Sequence, residues 1–272
     1  RFLGPAALGY YGRAYSLMSA PAYAFGTVLD AVLFPAMARV QDDPPRLALA
    51  YRRGVALIAL LVLPVSATLI LLAPEVVRVA LGPRWTAAVA PFQILGIGML
   101  FRSSYKMSDS IARSTGAVYR RAWRQIMYAG LVIFAAWVGQ HWGIVGVSWG
   151  ALGALTVNFL VMAGLSLDVA RLTWADFWDM HRAAVLLTIA SFPPVWAATV
   201  GVRTLGLGAL VNLSLAGAVF VLACGVLVWR APAVFLGQDG QWMLDAMRSF
   251  MRSRVRPASP AALPASDVPE AR

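Results

Sequence analysis

LGALVNLSLAGAVFVLACGVLVW, residues 207–229, contains no Asp, Glu, Lys or Arg. An α-helix rises 1.5 Å per residue, so about 20 apolar residues cross the roughly 30 Å of bilayer hydrocarbon. The stretch is long enough to do so alone. Apolar runs of the same kind recur along the chain, and its composition agrees with them. Sixty per cent of its residues are hydrophobic and 13% charged, with a mean hydropathy of +0.70. A water-soluble globule carries about 25% charged residues, so this chain lacks the polar surface to be wetted on every side.

Seven spans follow from the pattern: residues 15–38, 54–72, 86–112, 125–138, 143–165, 183–202 and 207–229. The fourth is short unless Arg124 and Gln140 sit at the interfaces, and Pro21, Pro64 and the Pro193-Pro194 pair should bend their helices. The fold expected is all-α and integral to the membrane, a bundle of about seven transmembrane helices.

The net charge is +11, and all but Lys106 of the 23 basic residues are Arg. They gather between spans rather than on one face, which argues against nucleic-acid binding. Arg39, Arg46, Arg52 and Arg53 follow span one; Arg113, Arg120, Arg121 and Arg124 follow span three; Arg171 and Arg182 follow span five. Arg230, Arg248, Arg252, Arg254 and Arg256 follow span seven, while the opposite links are poor in Arg. Basic loops stay in the cytoplasm, so the C-terminus is expected there. The chain opens on Arg1 without a signal peptide, which reads as a piece lacking its upstream part.

Residues 1–14 read as a periplasmic loop, 15–230 as the seven-helix lobe, 231–256 as a cytoplasmic amphipathic segment and 257–272 as a disordered, Pro/Ala-rich tail. Within the amphipathic segment, Met243, Met247, Phe250 and Met251 recur at helical spacing against Asp245, Arg248 and Arg252. Such a helix could lie on the inner leaflet or cap the bundle. Thr173 and Asp176 have capping-box spacing, with Trp174, Phe177 and Trp178 as interfacial aromatics.

Charges inside spans are the most informative residues, since each costs about 2.5–3.5 kcal/mol at a helix centre on insertion scales. Arg102, Lys106 and Asp109 share one face of span three at spacings i, i+4 and i+7. Asp30 lies at a similar depth in span one. Two readings are open and compatible. In one, Asp30 neutralises a cation and fixes helix packing; in the other, Arg102 and Lys106 face a wet cavity and bind an anionic group such as a pyrophosphate. Asn158, Gln93, Ser103, Ser104 and Ser108 rank lower, as ordinary bonds between helices. Gly96, Gly98, Gly146, Gly150, Gly153, Gly206 and Gly208 should admit close helix contact.

Signals for covalent chemistry are weak. Cys224 stands alone, so no disulfide or zinc site is expected. His141 and His181 have no partners at metal-ligand spacing, and Asp42-Asp43 reads as a solvated turn. There is neither a G-x-x-x-x-G-K nor a G-x-S-x-G motif. No cofactor and no enzymatic activity are expected.

LGPAALGYYGRAY at residues 3–15 is followed by LFPAMARVQDD at 33–43, YRR at 51–53, Pro64, LAPE at 72–75 and LGPRW at 81–85. This succession resembles the polysaccharide transporter family, in its Wzx-type and colanic-acid-exporter branch, within the multidrug/oligosaccharidyl-lipid/polysaccharide exporter superfamily. The resemblance covers about residues 1–125. It implies a protein of about fourteen spans with a MATE-like, two-lobe fold, this chain being the C-terminal lobe. It further implies a bacterial inner-membrane flippase for undecaprenyl-pyrophosphate-linked oligosaccharide repeat units. Its partners would be that lipid-linked oligosaccharide, membrane lipids, the missing N-terminal lobe and polysaccharide polymerase machinery. In that setting Arg102 and Lys106 are the expected substrate-binding cations, with Asp30 and Asp109 as gating counter-charges. The rivals are a cation-coupled multidrug antiporter of the same superfamily, a membrane-embedded polymerase or ligase, and a structural scaffold.

Overall fold

The structure, a computed structural model, describes residues 4–242, without the side chains of residues 22, 24–34 and 118. Ten α-helices account for most of the described residues. Helix α1 is Gly4–Ala38, α2 Pro44–Leu71 and the short α3 Ala73–Ala80. A 3-10 turn leads into α4, Val89–Ile97, and α5, Met99–Ser114. Then come α6 Val118–Gly139, α7 Gly143–Ala170, α8 Trp174–Thr204, α9 Ala209–Arg230 and the single turn α10 Pro232–Phe235.

The seven expected spans fall on α1, α2, the α4–α5 pair, α6, α7, α8 and α9. Among the described residues, Pro44–Leu71, Tyr119–Ala170, Trp174–Thr204 and Ala209–Arg230 are long and apolar enough to cross a membrane. The pair Pro83–Ile97 and Met99–Ser114, bent by 42°, adds a fifth such stretch. Tyr119–Ala170 is 52 residues long, and it folds back on itself as the antiparallel hairpin of α6 and α7.

Local chemistry sets where these helices begin, bend and stop. Asp43 caps α2 by accepting a hydrogen bond from the Arg46 backbone N–H, with prolines in the first turn. Thr173 and Asp176 form the reciprocal capping box expected of them. The Thr173 hydrogen bonds, aided by the Arg52 charge, hold the Asp176 carboxyl below the usual carboxylate range. The break between α4 and α5 falls at Gly98, where a Cβ would lie 2.8 Å from Leu155 of α7. Leu155 and Leu152 of α7 therefore pack directly over this glycine.

Glycine also makes the α6–α7 hairpin. A Cβ on Gly139 would sit 2.6 Å from the Gly146 carbonyl oxygen, and one on Gly150 2.7 Å from that of Ala135. In lipid, where apolar surface gains little by leaving its solvent, such close backbone approach is a main source of helix association. Gly153 has open space around it, so the close contact expected there is absent.

The interior is shared by α1, α2, α4, α5, α7 and α8. Met18, Met37, Tyr51, Ile58, Phe92, Met107, Phe159 and Phe177 form its buried centre. Among its described side chains helix α6 buries none outright, and it reaches the other helices mainly through α7. Helix α9 buries only Asn212 and Ala216. Their outer faces carry exposed Ile133, Phe134, Leu222 and Val226, suited to contact with lipid tails. Exposed Trp123, Trp142, Trp178 and Trp229 lie near helix ends, as interfacial aromatics do.

Ion pairs tie the basic helix ends together on one side. Arg120 at the start of α6 meets Asp168 near the end of α7 at 2.5 Å. Arg52 of α2 reaches Asp176 and Asp179 of α8 at 3.0 and 3.3 Å, and Asp239 beyond α10 at 3.6 Å. On the other side Arg203 of α8 grips Glu75 of α3 through Nε and Nη2, at 2.7 and 2.8 Å.

Three expectations are revised. Residues 4–14, read as a loop, form the first turns of α1: nothing beyond Pro5 breaks the Ala-rich run, and Pro is tolerated in a first turn. Phe177, read as interfacial, is buried, its ring against Phe159 of α7 and against Trp174 and His181 of its own helix. Residues 232–242 fold back on the bundle, burying Leu236 and placing the Arg53 guanidinium 4.3 Å from the Trp242 ring centre. The amphipathic pattern beginning at Met243 and the Pro/Ala-rich tail lie outside the described residues.

Candidate functional site: a basic cavity between α1, α5, α6 and α7

Four helices converge on a cavity of about 190 Å3. Tyr23 comes from α1; Arg102, Tyr105 and Lys106 from α5; Gln125 and Tyr128 from α6; Leu155 and Asn158 from α7. Helical periodicity explains each set, since residues three and four apart share a face. Position 102 stands 11 residues before Arg113, about 16 Å along the helix. The cavity therefore lies well inside the span.

Both sequence-selected cations line it, each against a tyrosine. Arg102 Nη1 donates to Tyr15 Oη at 2.6 Å, and its guanidinium carbon lies 4.7 Å from the Tyr15 ring centre. Lys106 Nζ lies 6.0 Å from the Tyr23 ring centre. A ring face attracts a cation but neutralises it far less than a carboxylate would. Among the described residues no carboxylate pairs with either cation. The Asp30 side chain lies outside the described residues.

Asp109 does not line the cavity. It lies one turn nearer the basic side and is gripped from two helices. Arg113 Nε approaches its Oδ2 at 3.0 Å, Arg121 Nε bonds its Oδ1, and Tyr105 donates to it at 3.2 Å. Arg113 is its i, i+4 neighbour on α5. Arg121, from α6, becomes visible only once the chain has turned back.

Hydrogen-bonding capacity is left over around the cavity. Arg102 Nε, Gln125 Oε1 and Asn158 Oδ1 are buried with no hydrogen-bond partner. Asn158 is only 2% exposed, and an unmet buried polar group costs about 1–3 kcal/mol. The Asn158 amide oxygen thus makes no bond between helices among the described residues. Sequence reasoning ranked it low and passed over Gln125 and the tyrosines. Their signal was i, i+3 spacing on α6 and α7, legible only with the hairpin's orientation known.

A larger cavity lies elsewhere, about 610 Å3 between α1 and the α6–α7 hairpin. Its lining, including Leu8, Tyr11, Val132, Ala136 and Ile144, holds no charged side chain. The chemistry for an anion is in the smaller cavity.

Fold and cavity together define an all-helical, multi-pass membrane protein with basic and amide groups inside its bundle. Residues 1–90 match the family described as "Polysaccharide biosynthesis protein". The chain is 25% identical over 194 residues to the teichuronic acid biosynthesis protein TuaB of Bacillus subtilis (strain 168), covering 70% of this chain and 40% of that protein. It is 25% identical over 162 residues to the lipopolysaccharide biosynthesis protein WzxC of Escherichia coli (strain K12), covering 59% and 33% respectively. Among solved structures, the inward closed conformation of the lipid II flippase MurJ matches with a TM-score of 0.61 at 12% identity, over 82% of this chain and 48% of that one. The resemblance to the polysaccharide transporter family is thus borne out, and the chain spans less than half the length of these relatives.

Proposed function

We propose that the chain forms the C-terminal lobe of a flippase that carries undecaprenyl-pyrophosphate-linked oligosaccharide repeat units across the bacterial inner membrane. The observation that carries this reading is the pair Arg102 and Lys106 in one intramembrane cavity, facing tyrosines. A diphosphate brings the negative charge that such cations lack, and Arg can hold it through two donors at once. The relatives named for polysaccharide and lipopolysaccharide biosynthesis support the same substrate class.

Transport of this kind makes and breaks no covalent bond, so the chain is not an enzyme in this reading. Its two lobes rock about the cavity, which opens first to one leaflet and then to the other. The basic helix ends face the cytoplasm, as does the C-terminus. The second lobe, the lipid-linked sugar and the polymerase that consumes it are the partners. Asp109, held by Arg113 and Arg121, ties α5 to α6 below the cavity.

Complementation tests the reading. The whole gene, with and without Arg102→Ala and Lys106→Ala, is placed in a strain lacking its polysaccharide flippase. Restored surface polysaccharide, lost in both variants at wild-type protein levels, is expected. Restoration by every variant contradicts the role of the cavity.

A further inference from the structure

Charge is unevenly matched at one place on the basic side of the bundle. Asp176, Asp179 and Asp239 converge on the single guanidinium of Arg52, at 3.0, 3.3 and 3.6 Å. Three carboxylates thus share one cation. Asp239 is held least, with the longest contact and no hydrogen bond to another described residue, although its side chain is only 15% exposed. A carboxylate so enclosed keeps acceptor capacity for a donor from outside.

A cavity of about 360 Å3 opens beside this group, between α2, α8 and the segment after α10. Gly237, at φ +62, turns that segment so that Asp239 and Arg52 line the same space. Asp179, Arg182 and Gln238 line it as well. Arg182 is exposed and, among the described residues, pairs with no carboxylate. Leu186 and Val234 give the cavity an apolar wall, and both are partly exposed. Exposed Val185 and Ile189 continue that apolar face along α8. Trp178 near the start of α8 and Trp229 at the end of α9 mark the level where headgroups meet hydrocarbon. A ligand complementary to this set carries an N–H cation for the carboxylates, an anion for Arg182 and apolar chains. A metal ion matches it poorly, since among the described residues no three potential ligands stand close enough to hold one.

We infer that this cavity holds one zwitterionic phospholipid with a primary ammonium, of the phosphatidylethanolamine type. The ammonium lies between Asp179 and Asp239 and donates to both, as charge-assisted hydrogen bonds favour. The phosphate accepts from Arg182 and the Gln238 amide, and the acyl chains run along the outer face of α8. A choline headgroup has the same charges but no N–H donor, and a glycerol headgroup has no cation. Bound there, the lipid bridges α8 to the segment after α10, which is otherwise tied by buried Leu236 and by Trp242 against Arg53. The site shares no lining residue with the cavity of Arg102 and Lys106 and does not depend on what that cavity carries.

The test uses protein from the whole gene, purified in detergent, with ethanolamine, choline and glycerol phospholipids of identical acyl chains as probes. Native mass spectrometry reads the fraction of protein carrying one lipid at each concentration. Wild type is expected to hold the ethanolamine lipid about tenfold more tightly than the other two. Asp239→Asn is expected to lower it to the level of the choline lipid. Arg182→Gln, at an exposed position, is expected to weaken the ethanolamine and choline lipids together, and carries the test if Asp239→Asn loosens the segment. Water-soluble phosphoethanolamine is expected not to displace the lipid at equal concentration; displacement would make this a site for a soluble ligand and overturn the lipid assignment. Equal retention of the three lipids by wild type overturns the inference, as does unaltered retention of the ethanolamine lipid in both folded variants. A preference for the glycerol lipid would reduce the site to an anion contact at Arg182 and remove the carboxylates from it.

Discussion

Arg102 Nη1 donates a 2.6 Å hydrogen bond to Tyr15 Oη while the guanidinium leans on the same tyrosine's ring. One α1 side chain thus orients an α5 cation inside the bundle without cancelling its charge. Tyr15→Phe keeps the ring and removes the hydrogen bond. Loss of this orienting contact should weaken diphosphate binding by roughly 3- to 10-fold. Titration of undecaprenyl diphosphate into the purified variant checks this; unchanged affinity would mean that Tyr15 merely fills space.

The hairpin's glycines make a second prediction. Gly139→Leu places side-chain atoms where the Gly146 carbonyl now lies. Helix α6 has little other support, so it should swing from α7 and open the cavity wall. Thermal unfolding in detergent should fall by several degrees, whereas Gly153→Ala, in open space, should leave it unchanged.

Asp109 is predicted to act as a clasp. Asp109→Asn would leave Arg113 and Arg121 without their shared carboxylate. Both arginines are about one-third exposed, so the cost should be about 1–3 kcal/mol, less than the 3–5 of a fully buried pair. A double-mutant cycle with Arg121→Gln should show coupling above about 0.5 kcal/mol. Additive effects would dissolve the clasp.

Acid should loosen the opposite side. Burial pushes the Glu75 carboxyl up, but the hydrogen bonds and charge of Arg203, a backbone bond and Asn212 outweigh it and leave the group below its ordinary value of 4.5. A carboxyl depressed on folding contributes stability above its unfolded value, and that contribution disappears as pH falls through the lower, folded value. The wild type should therefore lose part of its thermal stability as pH drops below about 4.5, and Glu75→Gln should lose less over the same interval. Parallel pH profiles for the two proteins would remove Glu75 from this role.

How much of this was visible in the sequence differs by element. The spans were legible because lipid, unlike water, lets apolar residues cover the outside, so α9 reads as one uninterrupted run. The capping box at Thr173 was legible because its chemistry spans four residues. The start of α1 was missed because the run after Gly4 has few helix signals beyond alanine content. The close packing of Leu155 on Gly98 was hidden because Leu155 is on another helix. Arg102 and Lys106 announced themselves as charges in a span. Asn158 did not, since an amide there has ordinary uses, and only the geometry shows its oxygen unmet.

The central claim is that Arg102 and Lys106 hold a diphosphate within the membrane. Its most direct test is binding of undecaprenyl diphosphate to protein from the whole gene in nanodiscs, for wild type, Arg102→Ala and Lys106→Ala. The account predicts saturable binding weakened about tenfold or more in each variant, as loss of a charge-assisted contact implies. Equal affinity across the three folded proteins would contradict it.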